Sequence, residues 1–144
     1  MKTFLEFVQS KINIPKGNLG ILRKDMPQIV AKDVPEFVKW LKGKGISTIK
    51  KAERIDSLKM TQKQINKEKV TGMINDASED ALSKPIIISK DNFILDGHNR
   101  FVALLNKNSK LKLQTYRVNV NMTELLELAH NFPKVITKGI NENV

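Results

Sequence analysis

The stretch from Pro85 to Ala103 constrains the fold more than any other part of this chain. Pro85-Ile86-Ile87-Ile88-Ser89 is followed by the polar turn Lys90-Asp91-Asn92 and the short apolar run Phe93-Ile94-Leu95. Asp96-Gly97-His98-Asn99-Arg100 then leads into Phe101-Val102-Ala103. β-branched residues bounded by proline and a polar turn predict a central strand pair over residues 85–89 and 93–95. Phe101, Val102, Leu104 and Leu105 predict a helix to about residue 106. A strand that passes through Asp-Gly directly into a helix aims free backbone N–H groups and the positive end of a helix dipole at one point. Arg100, one turn in, joins them, and such a point suits a phosphate.

Each residue of this step has a chemical reading and a plainer one. Gly97 permits a backbone conformation and a close ligand approach that a Cβ would block. Arg100 can present a planar fork of donors to phosphate oxygens. His98 can donate to the same anion or shuttle a proton near neutral pH. Asp96 can hold His98 or Arg100 in place, or coordinate magnesium through water. Against this, Asp96 can be an ordinary helix N-cap, Asp-Gly marks many turns, and a first-turn histidine is usually a surface residue. Four polar residues in succession after an apolar strand favour phosphate or nucleotide binding over a structural turn.

Ser57, Thr61 and Gln62 supply a candidate second wall, as short polar groups suited to a phosphate or ribose near a helix start. The plainer reading is that Thr61 and Gln64 form a capping box. Glu53, Asp56 and Glu68 are the nearby carboxylates for base or magnesium work; His98 or Asp56 is the candidate base, with nothing in the sequence selecting among the carboxylates.

Elsewhere the pattern predicts an amphipathic helix over residues 2–12 and an irregular stretch over 19–29. A helix capped by Asp33, with Pro35 in its first turn, should carry Phe37, Val38, Trp40 and Leu41 inward. Trp40 reads as core rather than as a base-stacking platform. Residues 46–55 read as a strand with an exposed basic face of Lys50, Lys51 and Arg54. A helix should run from Thr61 to about residue 76 with Ile65, Val70, Met73 and Ile74 inward, then a turn over 78–82. A strand over 112–120 should turn Tyr116, Val118 and Val120 inward. Thr123 should cap a last helix carrying Leu125, Leu126, Leu128 and Ala129, before a frayed tail over 138–144. These elements give one α+β domain, a small mixed sheet flanked by helices. Residues 1–45 form a helical extension packed on it, 46–136 the phosphate-binding part, and 137–144 the tail.

With 144 residues the chain can bury a core without staples. It has no cysteine and two histidines, which excludes disulfides, thiolate catalysis and a Cys-based zinc site and leaves no metal site expected from protein ligands alone. The formal charge of +10 raises the local concentration of nucleic acid or other polyanions, which makes nucleic acid the expected macromolecular partner; the plainer reading is of lysines scattered over solvated faces for solubility. No apolar run reaches the roughly 18 residues that span a bilayer. Glu6 interrupts the only stretch that could resemble a signal peptide, so a soluble cytoplasmic protein is expected. The oligomeric state is not legible.

The order proline, apolar run, polar turn, Ile94-Leu95-Asp96-Gly97-His98-Asn99-Arg100 and apolar helix resembles the ParB/sulfiredoxin superfamily, or ParB-like nuclease domains. Ser57-Leu58-Lys59-Met60-Thr61-Gln62 resembles that family's first box. The likeness covers about residues 46–120, and residues 19–29 and 125–135 look like ParB-like proteins of bacteriophages, which would act in the host cell. Across its branches the resemblance implies a phosphate gripped at the helix start. Sulfiredoxins place a nucleophilic cysteine where this chain has His98, so reductase chemistry is not implied. Chromosome-partitioning ParB proteins bind CTP and Mg2+ with Gly-Glu-Arg-Arg; Gly97 and Arg100 match, while His98 and Asn99 do not. No helix-turn-helix follows, so centromere recognition is not implied. Free-serine kinases carry Asp-Gly-His-His-Arg, matched at Asp96, Gly97, His98 and Arg100. The resemblance thus implies binding of nucleotide (ATP or CTP, with Mg2+) or of DNA phosphate, with nuclease or NTPase activity. A small-molecule kinase and a non-catalytic DNA-binding module are the alternatives.

Overall fold

Three successive isoleucines require cover on both faces, and the fold supplies it. In the computed structural model, which describes residues 18–62, 65, 67–76 and 84–137, they begin β3 (Ile86–Ser89), all of whose residues are buried. β3 pairs antiparallel with β4 (Ile94–Asp96) and parallel with β5 (Lys112–Val118). β5 pairs antiparallel with β2 (Thr48–Arg54). The resulting mixed sheet has the order β2-β5-β3-β4, and β1 (Pro27–Gln28) with β6 (Ile136–Thr137) makes a separate two-stranded pair. The expected helix over 2–12, the turn over 78–82, the tail over 138–144 and Gln64 lie outside the described residues.

Helices cover both faces. On one side α2 (Lys67–Asp76) and α3 (His98–Lys107) bring Val70, Phe101, Val102 and Leu104 against Ile86, Ile88, Ile94 and Leu113. On the other, α1 (Val34–Gly43) and α4 (Met122–Asn131) bring Phe37, Leu41, Leu125 and Ala129 against Ile87, Leu95 and Val118. Each fully buried side chain of this size contributes roughly 1.5–3 kcal/mol of transfer free energy. Alternate residues of β3 therefore serve opposite cores, which is why its apolar run is unbroken. Trp40 is core, as its spacing predicts: its ring lies 6.1 Å from Phe37 and edge-on to Phe132 at 5.4 Å.

The turn between β3 and β4 is fastened from several sides. Asn92 adopts a positive φ of 70°, which asparagine tolerates, and its side-chain amide donates to the Ser57 carbonyl at 3.2 Å. Asp91 accepts from the Ser89 hydroxyl and, at 3.0 Å, from the backbone N–H of Met122 at the start of α4. Between Ile87 and Ile88 the register with β4 shifts, so that Ile87 faces Asp96 and Ile88 faces Ile94. Leu95 is the extra residue, and such bulges re-aim the side chains beside them.

Four local expectations need correction. The cap of α4 is Asn121, whose side chain accepts from the Glu124 N–H at 3.0 Å, rather than Thr123. Asn121→Ala should therefore cost about 1 kcal/mol in urea unfolding, and Thr123→Ala a few tenths at most. Asp33 precedes α1 but makes no side-chain cap; its carboxylate lies 4.0 Å from Lys134. The helix expected from Thr61 begins only at Lys67, because residues 59–62 are held extended by neighbouring chain. β5 ends at Val118, and the side that alternation alone would leave to solvent is the more enclosed one: Leu113 and Thr115 are as buried as Val118 because α2 and α3 cover them, while Gln114 and Tyr116 on the other side are only partly buried.

Candidate functional site

Gly97 sets the geometry of the strand-to-helix step. Its φ of +99° lies in the left-handed region, and a Cβ there would sit 3.1 Å from Ile86 Cγ1. The backbone can turn this sharply over β3 only without a side chain. Gly97 itself is the N-cap of α3, and its carbonyl accepts the Phe101 N–H at 2.9 Å. Asp96 is therefore not the cap: its Oδ1 accepts the Gly97 N–H at 2.9 Å and braces the turn from before it. Gly97→Ala should lower stability by about 1–2 kcal/mol from backbone strain alone; a double-mutant cycle with Ile86→Ala, which removes the Cγ1 itself, isolates any further part due to contact, read by chemical denaturation of the single and double variants.

His98 is the first residue of α3 and is only 4% exposed. Its Nε2 accepts two backbone hydrogen bonds, from Thr61 N at 3.0 Å and from Gln62 N at 3.1 Å. Both donors are amides, so Nε2 is unprotonated in this arrangement. The first-box segment is thereby stitched to the motif through its backbone, with the Thr61 and Gln62 side chains buried. The same segment runs along the outer edge of β4. Lys59 N donates to Asn92 O at 2.8 Å and Ile94 N donates to Lys59 O at 2.9 Å. Thr61 is fully enclosed, and its hydroxyl has no hydrogen-bond partner; it does not cap a helix.

Arg100 is half-buried on the opposite flank of Gly97, where its Nη2 donates to the carbonyl of Pro85 at 3.1 Å. Burial pushes its guanidinium below the usual arginine value, and the nearby charge of Asp96 opposes that shift. No carboxylate among the described residues forms an ion pair with it within 4.0 Å. The contrast with Arg117 is instructive, since that side chain is locked to Glu53 at 2.9 Å and to the Lys90 carbonyl at 2.9 Å. Arg100 thus carries a partly desolvated charge with one hydrogen bond, to Pro85 O, and no ion pair among the described residues.

The other predicted site residues divide into two groups. Asn99 follows His98 in the first turn of α3 and is partly buried. Ser57 and Asp56 lie in a short turn after β2, where the Ser57 hydroxyl donates to Arg54 O at 2.6 Å and Asp56 pairs with the Arg54 guanidinium at 2.6 Å. Neither bonds to Asp96–Arg100 among the described residues. Sequence reasoning missed the contribution of Pro85 and Ile86, the carbonyl that holds Arg100 and the side chain that demands glycine at 97. The proline ahead of an apolar run was the available signal.

Fold and site together define an α+β domain in which one strand-to-helix step carries a carboxylate braced on Gly97, a histidine stitched to the 61–62 segment and an arginine held by Pro85. No family model matches the chain, and no curated protein or solved structure matches it. Among the described residues no helix is long and apolar enough to cross a membrane, and no cluster of three metal-ligating side chains occurs.

Proposed function

We propose that this is a ParB-like domain that binds the phosphate of a nucleotide or of DNA at the Asp96–Arg100 step. The observation that carries the reading is Arg100, a partly desolvated guanidinium beside a helix start with no ion pair among the described residues. Structural arginines in such surroundings are paired or satisfied, as Arg117 is, because an uncompensated buried charge is costly. An anion at this point would supply the missing compensation, and the adjacent helix N-terminus adds to it. Magnesium would find one carboxylate there, Asp96, with phosphate oxygens and water completing its shell.

A purely binding role is favoured over His98-dependent chemistry by one feature. The lone pair on Nε2, through which a general base would act, is engaged by two amides. Asp56, held by Arg54, is no freer to act as a base. The test is incubation with ATP, CTP and labelled duplex DNA, each with magnesium, reading retention, nucleotide hydrolysis and strand cleavage together. Retention of a nucleotide or of DNA without turnover is the expected result. Cleavage or hydrolysis would move the reading to a nuclease or NTPase, and failure to retain any of the three at low salt would overturn it.

A further inference from the structure

We propose that the face of β2 and β5 carrying Lys50, Arg54, Lys112 and Tyr116 is a second binding surface, which takes single-stranded nucleic acid. The register pairs Lys50 with Tyr116, Ala52 with Gln114, and Arg54 with Lys112. Alternate residues of a strand share a face, so these six form one surface two strands wide. Lys50, Ala52, Arg54 and Lys112 are exposed, and Gln114 and Tyr116 partly so. α4 packs toward the β3 and β4 side of this face and α1 meets β2, yet Lys50, Ala52 and Arg54 along β2 stay exposed.

The charge on this surface has one sign. Lys50 and Lys112 meet no carboxylate among the described residues, and the Lys50 ammonium lies 6.0 Å from the Tyr116 ring centre. Glu53 alternates to the opposite face, where Arg117 and Lys51 engage it at 2.9 and 3.7 Å. Asp56 is the one neighbouring carboxylate, and Arg54 neutralises it. Ala52 leaves a shallow floor between the two rows. A ring with exposed surface, set among cations on an open sheet face, matches the needs of an unpaired strand, whose bases stack while its phosphates pair with lysines. A duplex keeps its bases from such a ring, and an acidic peptide has no use for one.

The inference rests on the preceding reading only in taking nucleic acid as the partner; it makes no use of Arg100. The test is fluorescence anisotropy with a labelled oligothymidylate of about 12 nucleotides across a salt series. Lys50→Gln with Lys112→Gln should reduce the slope of log affinity against log salt by about 1.4. Tyr116→Leu, which keeps apolar bulk, should weaken binding roughly tenfold. No binding by the unaltered chain, an unchanged slope in the double variant, or equal binding of poly-glutamate would overturn the proposal. If the variants fail to fold, amide shift changes in the unaltered protein decide: at residues 50–54 and 112–116 they support it, and confined to residues 96–100 they overturn it. Loss of nucleotide binding in Arg100→Met alongside unchanged oligonucleotide binding in the lysine variant would sink this surface while leaving the phosphate site standing.

Discussion

Replacing His98 with leucine is expected to destabilise the protein by about 3 kcal/mol, because two buried amides lose their shared acceptor at once. Leucine keeps most of the ring's volume, so the loss reports hydrogen bonding rather than a cavity. His98→Gln places an amide oxygen near the position of Nε2 and should recover at least half of that loss. Urea unfolding of the three proteins checks the order. Leucine and glutamine variants of equal stability would show that the amides of Thr61 and Gln62 find other partners, and the stitching role would fail. Against a typical domain stability of about 5–15 kcal/mol, a deficit of this size loosens the wall even where the chain still folds. Function lost in His98→Leu alone therefore reports a displaced wall. Only function lost in a stably folded His98→Gln would implicate proton transfer.

How far the sequence reveals this arrangement depends on the range of the interaction. The strand pair, the Asp-Gly step and α3 are encoded within some 20 contiguous residues, each with a local preference that agrees with the final structure, and they are legible to within a residue. The inward face of α2 is equally plain from Val70, Met73 and Ile74. The contact between His98 and the amides of Thr61 and Gln62 is not: it spans 37 and 36 positions, and no periodicity links a histidine to backbone amides. The capping-box pattern at Thr61 even pointed the wrong way, since a Ser/Thr with Gln three residues on is a local preference that the edge of β4 overrides. Thr123 failed for a related reason. Asn121 and Thr123 are both good caps, and the Asp91 carboxylate, reaching the N–H of Met122 from a distant turn, fixes where α4 begins. Leu113 and Thr115 misled because their side of the strand was assigned to solvent, whereas α2 and α3 close it. Lys50, Lys51 and Arg54 were read correctly as exposed, since β2 is an edge strand and no described strand pairs with its outer side.

Arg100→Met is expected to abolish phosphate-dependent stabilisation while leaving the fold intact. Methionine matches the aliphatic length of the side chain, and losing the bond to Pro85 is offset by relief of a desolvated charge, so stability should change by less than about 1 kcal/mol. With a nucleotide at a hundred times its dissociation constant, the unaltered protein should gain about 2.7 kcal/mol, or roughly 8 °C in Tm. The variant should gain nothing measurable. The lowered value of Arg100 has a definite sign in stability: folding disfavours the charged base, so it opposes stability at every pH below the folded value and ceases to do so only as pH rises through it. An arginine side chain stays protonated in proteins, and the charge is therefore constant across the neutral range. Affinity that falls on going from about pH 6 to pH 8 could not come from this side chain, whereas a terminal phosphate, which ionises near 6, would bind more tightly over the same interval. Arg100→Lys completes the argument. It preserves the charge but removes the planar fork, and it should restore only part of the thermal shift. A lysine that restored all of it would mean that the site responds to charge alone, and the matching of guanidinium to phosphate would have to be given up.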